Sequence, residues 1–275
     1  MSVFYFNNAH SKKIVHFIAA NGFPPATYKQ LFGDMSHVSC QSPLLRPLWE
    51  PAPPPLLKSW LDFADDLVPY VEKYQPKIVC GHSIGAVIWL LFSIKYKYSF
   101  EKLIMIDPAL FPRLFYRLYP LLVKFRLQKK MHPLINVTLN RKRDFNSFDE
   151  IKNNYKKKPI FSMVVDSVLD DYINSAFKQH DNKLVLRYSP EWEAVIYETG
   201  MMKDGIVWKH LQDLAKNMEI IYIKGTLSNI CTDAVTKRLK SLCPQLVSYE
   251  LKGASHLLPF EQPKQVCDII KKHLS

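Results

Sequence analysis

The segment Gly81-His82-Ser83-Ile84-Gly85 carries the clearest chemistry in the sequence. Gly-x-Ser-x-Gly is a modest pattern alone. Here the apolar run Lys77-Ile78-Val79-Cys80 leads into it, and the almost wholly apolar stretch Ala86–Ile94 follows at once. A serine on a tight strand-to-helix turn projects its hydroxyl, and glycines on either side remove side chains that would clash there. The first N–H groups of the following helix favour negative charge developing at the same place. This is an arrangement for nucleophilic attack on a carbonyl. The plainer reading, a serine that merely caps a helix, leaves both glycines and the preceding strand unexplained.

A serine hydroxyl attacks weakly until a base takes its proton. Among nine histidines, His82 lies inside the turn and cannot reach round to its neighbour. His210 falls in a helical pattern and His273 in the tail. His256 ends the glycine-containing loop Lys252-Gly253-Ala254-Ser255-His256, after the apolar run Leu246–Leu251 and before Pro259, Glu261 and Pro263. Alone it is an ordinary loop histidine; behind Ser83 it is the best base.

These residues need elements to hold them. Val3–Asn7 and Ile14–Ala20 read as strands, the second stopped by Asn21-Gly22, and a short strand is expected near Val38. A proline-rich loop with Pro43, Pro47, Pro51 and Pro53-Pro54-Pro55 follows. Leu57, Trp60, Leu61, Phe63, Ala64, Leu67, Tyr70 and Val71 then recur at helical spacing, predicting a helix over Leu56–Tyr74. Leu103–Ile106 is a buried strand closed by Asp107-Pro108. Strand, helix, strand, helix are expected over Glu219–Lys224, Cys231–Leu242, Leu246–Leu251 and Glu261–His273. That alternation predicts an α/β protein with a mostly parallel sheet covered on both faces. Residues 1–108 and 213–275 form the expected core. Residues 109–212 break the rhythm and are expected to be a helical cap over the sheet's carboxyl edge, where open α/β sheets bind ligands.

The elbow at Ser83 and the terminal histidine loop resemble the α/β-hydrolase superfamily, of serine esterase and lipase type, in which the histidine follows the last strand. Ala19-Ala20-Asn21-Gly22-Phe23-Pro24 looks like the oxyanion loop of a bacterial branch that reads His-Ala-Asn-Gly-Phe-Pro, and Arg187-Tyr188-Ser189-Pro190-Glu191-Trp192-Glu193 resembles the same branch. Ala19 stands where that branch has histidine, a change that backbone donors do not feel. The resemblance covers most of the chain, though only the elbow and the His256 loop are chemically specific. It implies that the backbone N–H groups of Phe23 and Ile84 form the oxyanion hole. It also implies an aspartate after the strand Glu219–Lys224, in a Gly-x-x-Asp pattern, but Gly225-Thr226-Leu227-Ser228 puts a serine there. Two carboxylates remain: Asp107, after the strand that follows the elbow, and Asp233, expected a turn into a helix. Asp107-Pro108 also fits a helix N-cap. A Ser–His dyad with a weak orienter is the third arrangement.

The implied activity is carboxylic-ester hydrolysis through an acyl-enzyme, with no metal or organic cofactor. The rivals are thioester hydrolysis or acyl transfer on the same serine, and an idle relative binding a hydrophobic ligand or partner. A serine at the nucleophile position disfavours dehalogenase and epoxide-hydrolase chemistries, which use aspartate there. In the cap, Arg113, Arg117 and Lys124 share a helical stripe, while Leu114, Phe115, Leu118, Leu121, Leu122 and Phe125 cover most of the rest, with a kink expected at Pro120. That apolar face suits either an acyl chain or plain cap core. The net charge of +12 is concentrated in residues 109–190, with 16 Lys/Arg against 7 Asp/Glu. With no nucleic-acid motif beside it, the charge suits at most a weak anionic membrane-surface contact through Arg141-Lys142-Arg143 and Lys156-Lys157-Lys158. Five cysteines without metal-ligand spacing, and no visible export signal, give the expectation of reduced thiols in a cytoplasmic protein.

Overall fold

The computed structural model describes residues 1–275 except 8–10, 12, 34, 36, 126, 128–131 and 275. Seven strands form the main sheet: β1 (Val3–Tyr5), β2 (Ile14–Ile18), β3 (Ser39–Pro43), β4 (Ile78–His82), β5 (Lys102–Ile106), β9 (Glu219–Gly225) and β10 (Val247–Leu251). Their order is β1-β3-β2-β4-β5-β9-β10. Every pairing is parallel except that of β1 with β3. The central strands are apolar on both faces, as helices on both sides require: Val79, Cys80 and Leu103 to Ile106 are fully buried.

One face carries α2 (Leu61–Asp66), α3 (Val68–Tyr74), α4 (Ile84–Tyr96), α10 (Asp204–Asn217) and α11 (Asp233–Leu242). The other carries α1 (Lys29–Phe32), α12 (Leu258–Glu261) and α13 (Pro263–Lys272). Every residue of α4 from Ile84 to Ser93 is buried, so it has no polar side. The single helix expected over Leu56–Tyr74 is two, broken at Leu67. Pro69 is the cause, because it lacks an N–H and its ring would crowd the carbonyl four residues back.

The insertion between β5 and β9 differs from expectation in two ways. It contains α5 (Arg113–Lys124), α6 (Pro133–Leu139), α7 (Phe148–Lys156), α8 (Asp166–Ala176) and α9 (Pro190–Thr199), but also an antiparallel sheet in the order β6-β8-β7. Those strands are β6 (Asp144–Phe145), β7 (Phe177–His180) and β8 (Lys183–Leu186). They cover a separate aromatic core of Phe145, Tyr155, Phe161, Tyr172 and Phe177. Secondly, α10 buries Val207, Trp208 and Leu211 in the main core, so the core layer resumes at Asp204 rather than at 213.

Candidate active site

Ser83 follows β4 directly and adopts φ 56° and ψ −120°, a left-handed conformation that non-glycine residues rarely take. The neighbouring glycines permit the turn. A Cβ at Gly81 would lie 2.2 Å from the Ala86 nitrogen, and one at Gly85 would lie 2.1 Å from the Ile18 carbonyl. The Ser83 N–H donates to the Ile106 carbonyl at 2.9 Å and its carbonyl accepts from Ala109 N–H at 3.2 Å, latching the elbow to the end of β5.

Asp107 is the first residue beyond β5 and is also left-handed, at φ 41°, with its N–H bonded to the Ile223 carbonyl at 2.8 Å. No helix starts at Pro108, since α5 begins at Arg113, so Asp107 is not a cap. Its fully buried carboxylate accepts from His256 Nδ1 at 2.6 Å, Ser228 Oγ at 2.6 Å and Gly225 N–H at 3.3 Å. His256 Nε2 lies 3.0 Å from Ser83 Oγ. In the neutral tautomer that gives Nδ1–H to the carboxylate, Nε2 accepts the serine hydroxyl. Ser83, His256 and Asp107 thus form one continuous hydrogen-bonded run. Asp233 does not join it: its side chain is wholly exposed at the first residue of α11, 3.3 Å from Lys224 Nζ.

Several supporting residues went unread in the sequence. Glu261 fixes the histidine loop by accepting from Ser255 N–H at 2.6 Å and from the Ser255 hydroxyl. Ser228, at the position of the missing acid, donates to Asp107 instead of replacing it. Buried His82 links three parts of the site. Its Nε2 lies 2.9 Å from the His256 carbonyl, which can only accept, so Nε2 holds the proton. Nδ1 then accepts from the Tyr28 hydroxyl at 2.7 Å, and the Tyr28 oxygen accepts from Ala20 N–H at 3.0 Å. Burial pushes the His82 pKa down to about 3, which keeps the ring neutral.

Ile84 comes directly after Ser83 and starts α4. Its N–H opens α4 and has no intrahelical partner. Phe23 N–H instead closes the turn at Asn21-Gly22, donating to the Ala20 carbonyl at 3.2 Å. Insertion residues clasp that turn. Asn21 Nδ2 donates to the Glu193 carbonyl at 3.0 Å, and Tyr188 Oη donates to Asn21 Oδ1 at 2.8 Å. Glu193 itself is buried, pairs with Arg141 at 2.7 Å and has its pKa raised by burial. Local patterning could not have paired Arg141 with Glu193, which lie on different elements. Between turn and elbow runs a narrow cleft lined by Phe23, Leu45, Leu48, Ile84, Tyr188 and Ile196. No group of three metal-ligating side chains occurs among the described residues.

Comparison with known proteins agrees with this architecture. A family model for serine aminopeptidase S33 matches residues 55–170, which include Ser83 and Asp107. No curated protein matches the chain. Among solved structures, E-2-(acetamidomethylene)succinate hydrolase superposes with a TM-score of 0.77 at 16% identity, over 98% of this chain and 93% of that one. The peroxisomal alpha-beta-hydrolase Lpx1 of Saccharomyces cerevisiae gives 0.74 at 16% identity, over 97% and 76%. The M. tuberculosis esterase Rv0045c gives 0.72 at 16% identity, over 99% and 91%. The chain is an α/β-hydrolase in fold.

Proposed function

We propose that this protein is a serine hydrolase that cleaves carboxylic esters with an apolar acyl or alcohol part. The observation that carries the reading is the unbroken run from Ser83 Oγ through His256 to Asp107, at 3.0 and 2.6 Å. Ser83 Oγ attacks the ester carbonyl carbon while His256 Nε2 takes its proton. Ile84 N–H holds the oxyanion. Phe23 N–H joins it when its turn bond is shared with the new acceptor. Asp107 keeps the imidazole in the required tautomer and stabilises the imidazolium without taking the proton. Collapse expels the alcohol, which receives that proton and leaves the acyl group on Ser83. Water then repeats the sequence and releases the acid. The apolar side chains of Phe23, Leu45, Leu48 and Ile196 in the cleft beside the elbow support a hydrophobic ester over a charged one.

The test is turnover of a chain-length series of nitrophenyl esters, each in competition with the matching thioester. Hydrolysis of the oxygen esters that vanishes in Ser83→Ala supports the reading. A strong preference for the thioester would move the assignment to thioester hydrolysis on the same serine.

A further inference from the structure

α5 does not take either role its sequence allows, cleft wall or cap core. Its inner side is tied down. The Tyr119 hydroxyl donates to the Tyr197 and Glu198 carbonyls at 3.1 and 2.9 Å, and Arg238 donates to the Tyr116 hydroxyl at 3.2 Å. Its outer side is bare. Leu114, Phe115, Leu118, Leu121 and Phe125 are 66%, 59%, 48%, 52% and 66% exposed. At 100° per residue, Leu114, Leu118, Leu121 and Phe125 form one narrow stripe, and Arg113, Arg117 and Lys124 form a second along one edge of it. Among the described residues, none of those three cations has an ion pair or hydrogen bond.

Most cations of the other two basic tracts have partners within the fold. Arg141 and Arg143 pair with Glu193 and Glu191 at 2.7 and 2.6 Å. Lys142 and Lys156 pair with Glu150 and Asp166 at 2.5 and 2.6 Å, and Lys158 sits 3.8 Å over the Tyr155 ring. α5 thus joins three cations without a partner to the largest run of exposed apolar side chains among the described residues. A second copy of this chain fits it poorly, because a protein of net charge +12 would stack like charge on like.

We propose that α5 docks the protein on an anionic lipid surface. Leu114, Leu118, Leu121 and Phe125 enter the acyl boundary, and Arg113, Arg117 and Lys124 rest on headgroup phosphates. A helix with an apolar stripe and a basic edge lies in the plane of such an interface. α5 begins shortly after Asp107, at the sheet's carboxyl edge, so docking brings the end of the sheet that carries Ser83 near a reservoir of apolar esters. The docking stands apart from the proposed activity; only this supply of substrate rests on it.

The experiment is co-flotation with vesicles of phosphatidylcholine alone and of phosphatidylcholine mixed with phosphatidylserine, with the oligomeric state followed by sedimentation. Wild type and Ser83→Ala should float equally with the anionic vesicles, less at high salt. Leu118→Gln/Leu121→Gln, still folded by its thermal melt and still turning over a soluble short-chain ester, should lose partitioning by roughly tenfold. Arg117→Gln should lose about fivefold on anionic vesicles and little on neutral ones. Wild type that binds no vesicle, variants that bind as wild type does, or a dimer that Leu118→Gln/Leu121→Gln dissolves would each overturn the proposal. An active but non-binding enzyme would sink the docking alone; a binding but inactive one would sink only the proposed function.

Discussion

Asp107 accepts from three donors at once, one of them the imidazole N–H of His256. Asp107→Asn should therefore cut turnover by about three to four orders of magnitude by upsetting the His256 tautomer. Asp233→Asn should leave turnover unchanged, because that carboxylate faces solvent; steady-state kinetics of the two variants decides. Tyr28→Phe removes one hydroxyl but strands both Ala20 N–H and His82 Nδ1 in the interior. Each stranded group costs about 1–3 kcal/mol, which urea denaturation should register beside a fall in kcat. The tight turn at Ser83 was legible because its signal is local: two glycines, a strand before and a helix after. The sequence left Asp107 and Asp233 both open, because Asp107, Ser228 and His256 meet only once β5, β9 and β10 are aligned. The motif Asn21-Gly22-Phe23 located this turn along the chain but not the bond from Phe23 N–H to the Ala20 carbonyl that closes it.

Among the elements, the alternating core strands and their order of appearance were readable because apolar runs bounded by turn residues mark buried parallel strands. The insertion was less so. β6 has two residues, and β7 reads Phe-Lys-Gln-His, with only its first residue buried, so neither shows a periodic pattern. The apolar run of α5 was ambiguous for another reason: periodicity gives a stripe but not what covers it. α10 is joined to the strap before α5 through Asp204, whose Oδ2 accepts from Phe111 N–H at 2.7 Å. Burial raises the Asp204 pKa to about 8, so the folded state holds a proton that the unfolded chain releases. Its contribution to stability is full below the unfolded carboxylate pKa and fades as pH rises through 8. Asp204→Asn keeps an acceptor for Phe111 and removes the ionisation. Its urea midpoint should exceed that of wild type at and above pH 8.

At the scale of the whole molecule, buried histidines oppose that trend. Burial lowers His82 to about 3 and His16 to about 4, so both stay neutral in the fold while the unfolded chain protonates below about 6.5. Stability they contribute is lost as pH falls, by up to about 1.4 kcal/mol per pH unit for each group. Two histidines outweigh one carboxyl below pH 6.5, and Asp204 acts alone above it. Urea midpoints across pH should peak near there, and His16→Gln should soften the acid side. The proposed reaction requires Ser83 to be activated by His256 and Asp107. Labelling by a fluorophosphonate probe tests this most directly, with wild type beside Ser83→Ala, His256→Ala and Asp107→Asn. A single label at Ser83, absent from both alanine variants and slowed in Asp107→Asn, is the expected result. Well-folded wild type that takes no label, or a label that survives Ser83→Ala, would contradict it.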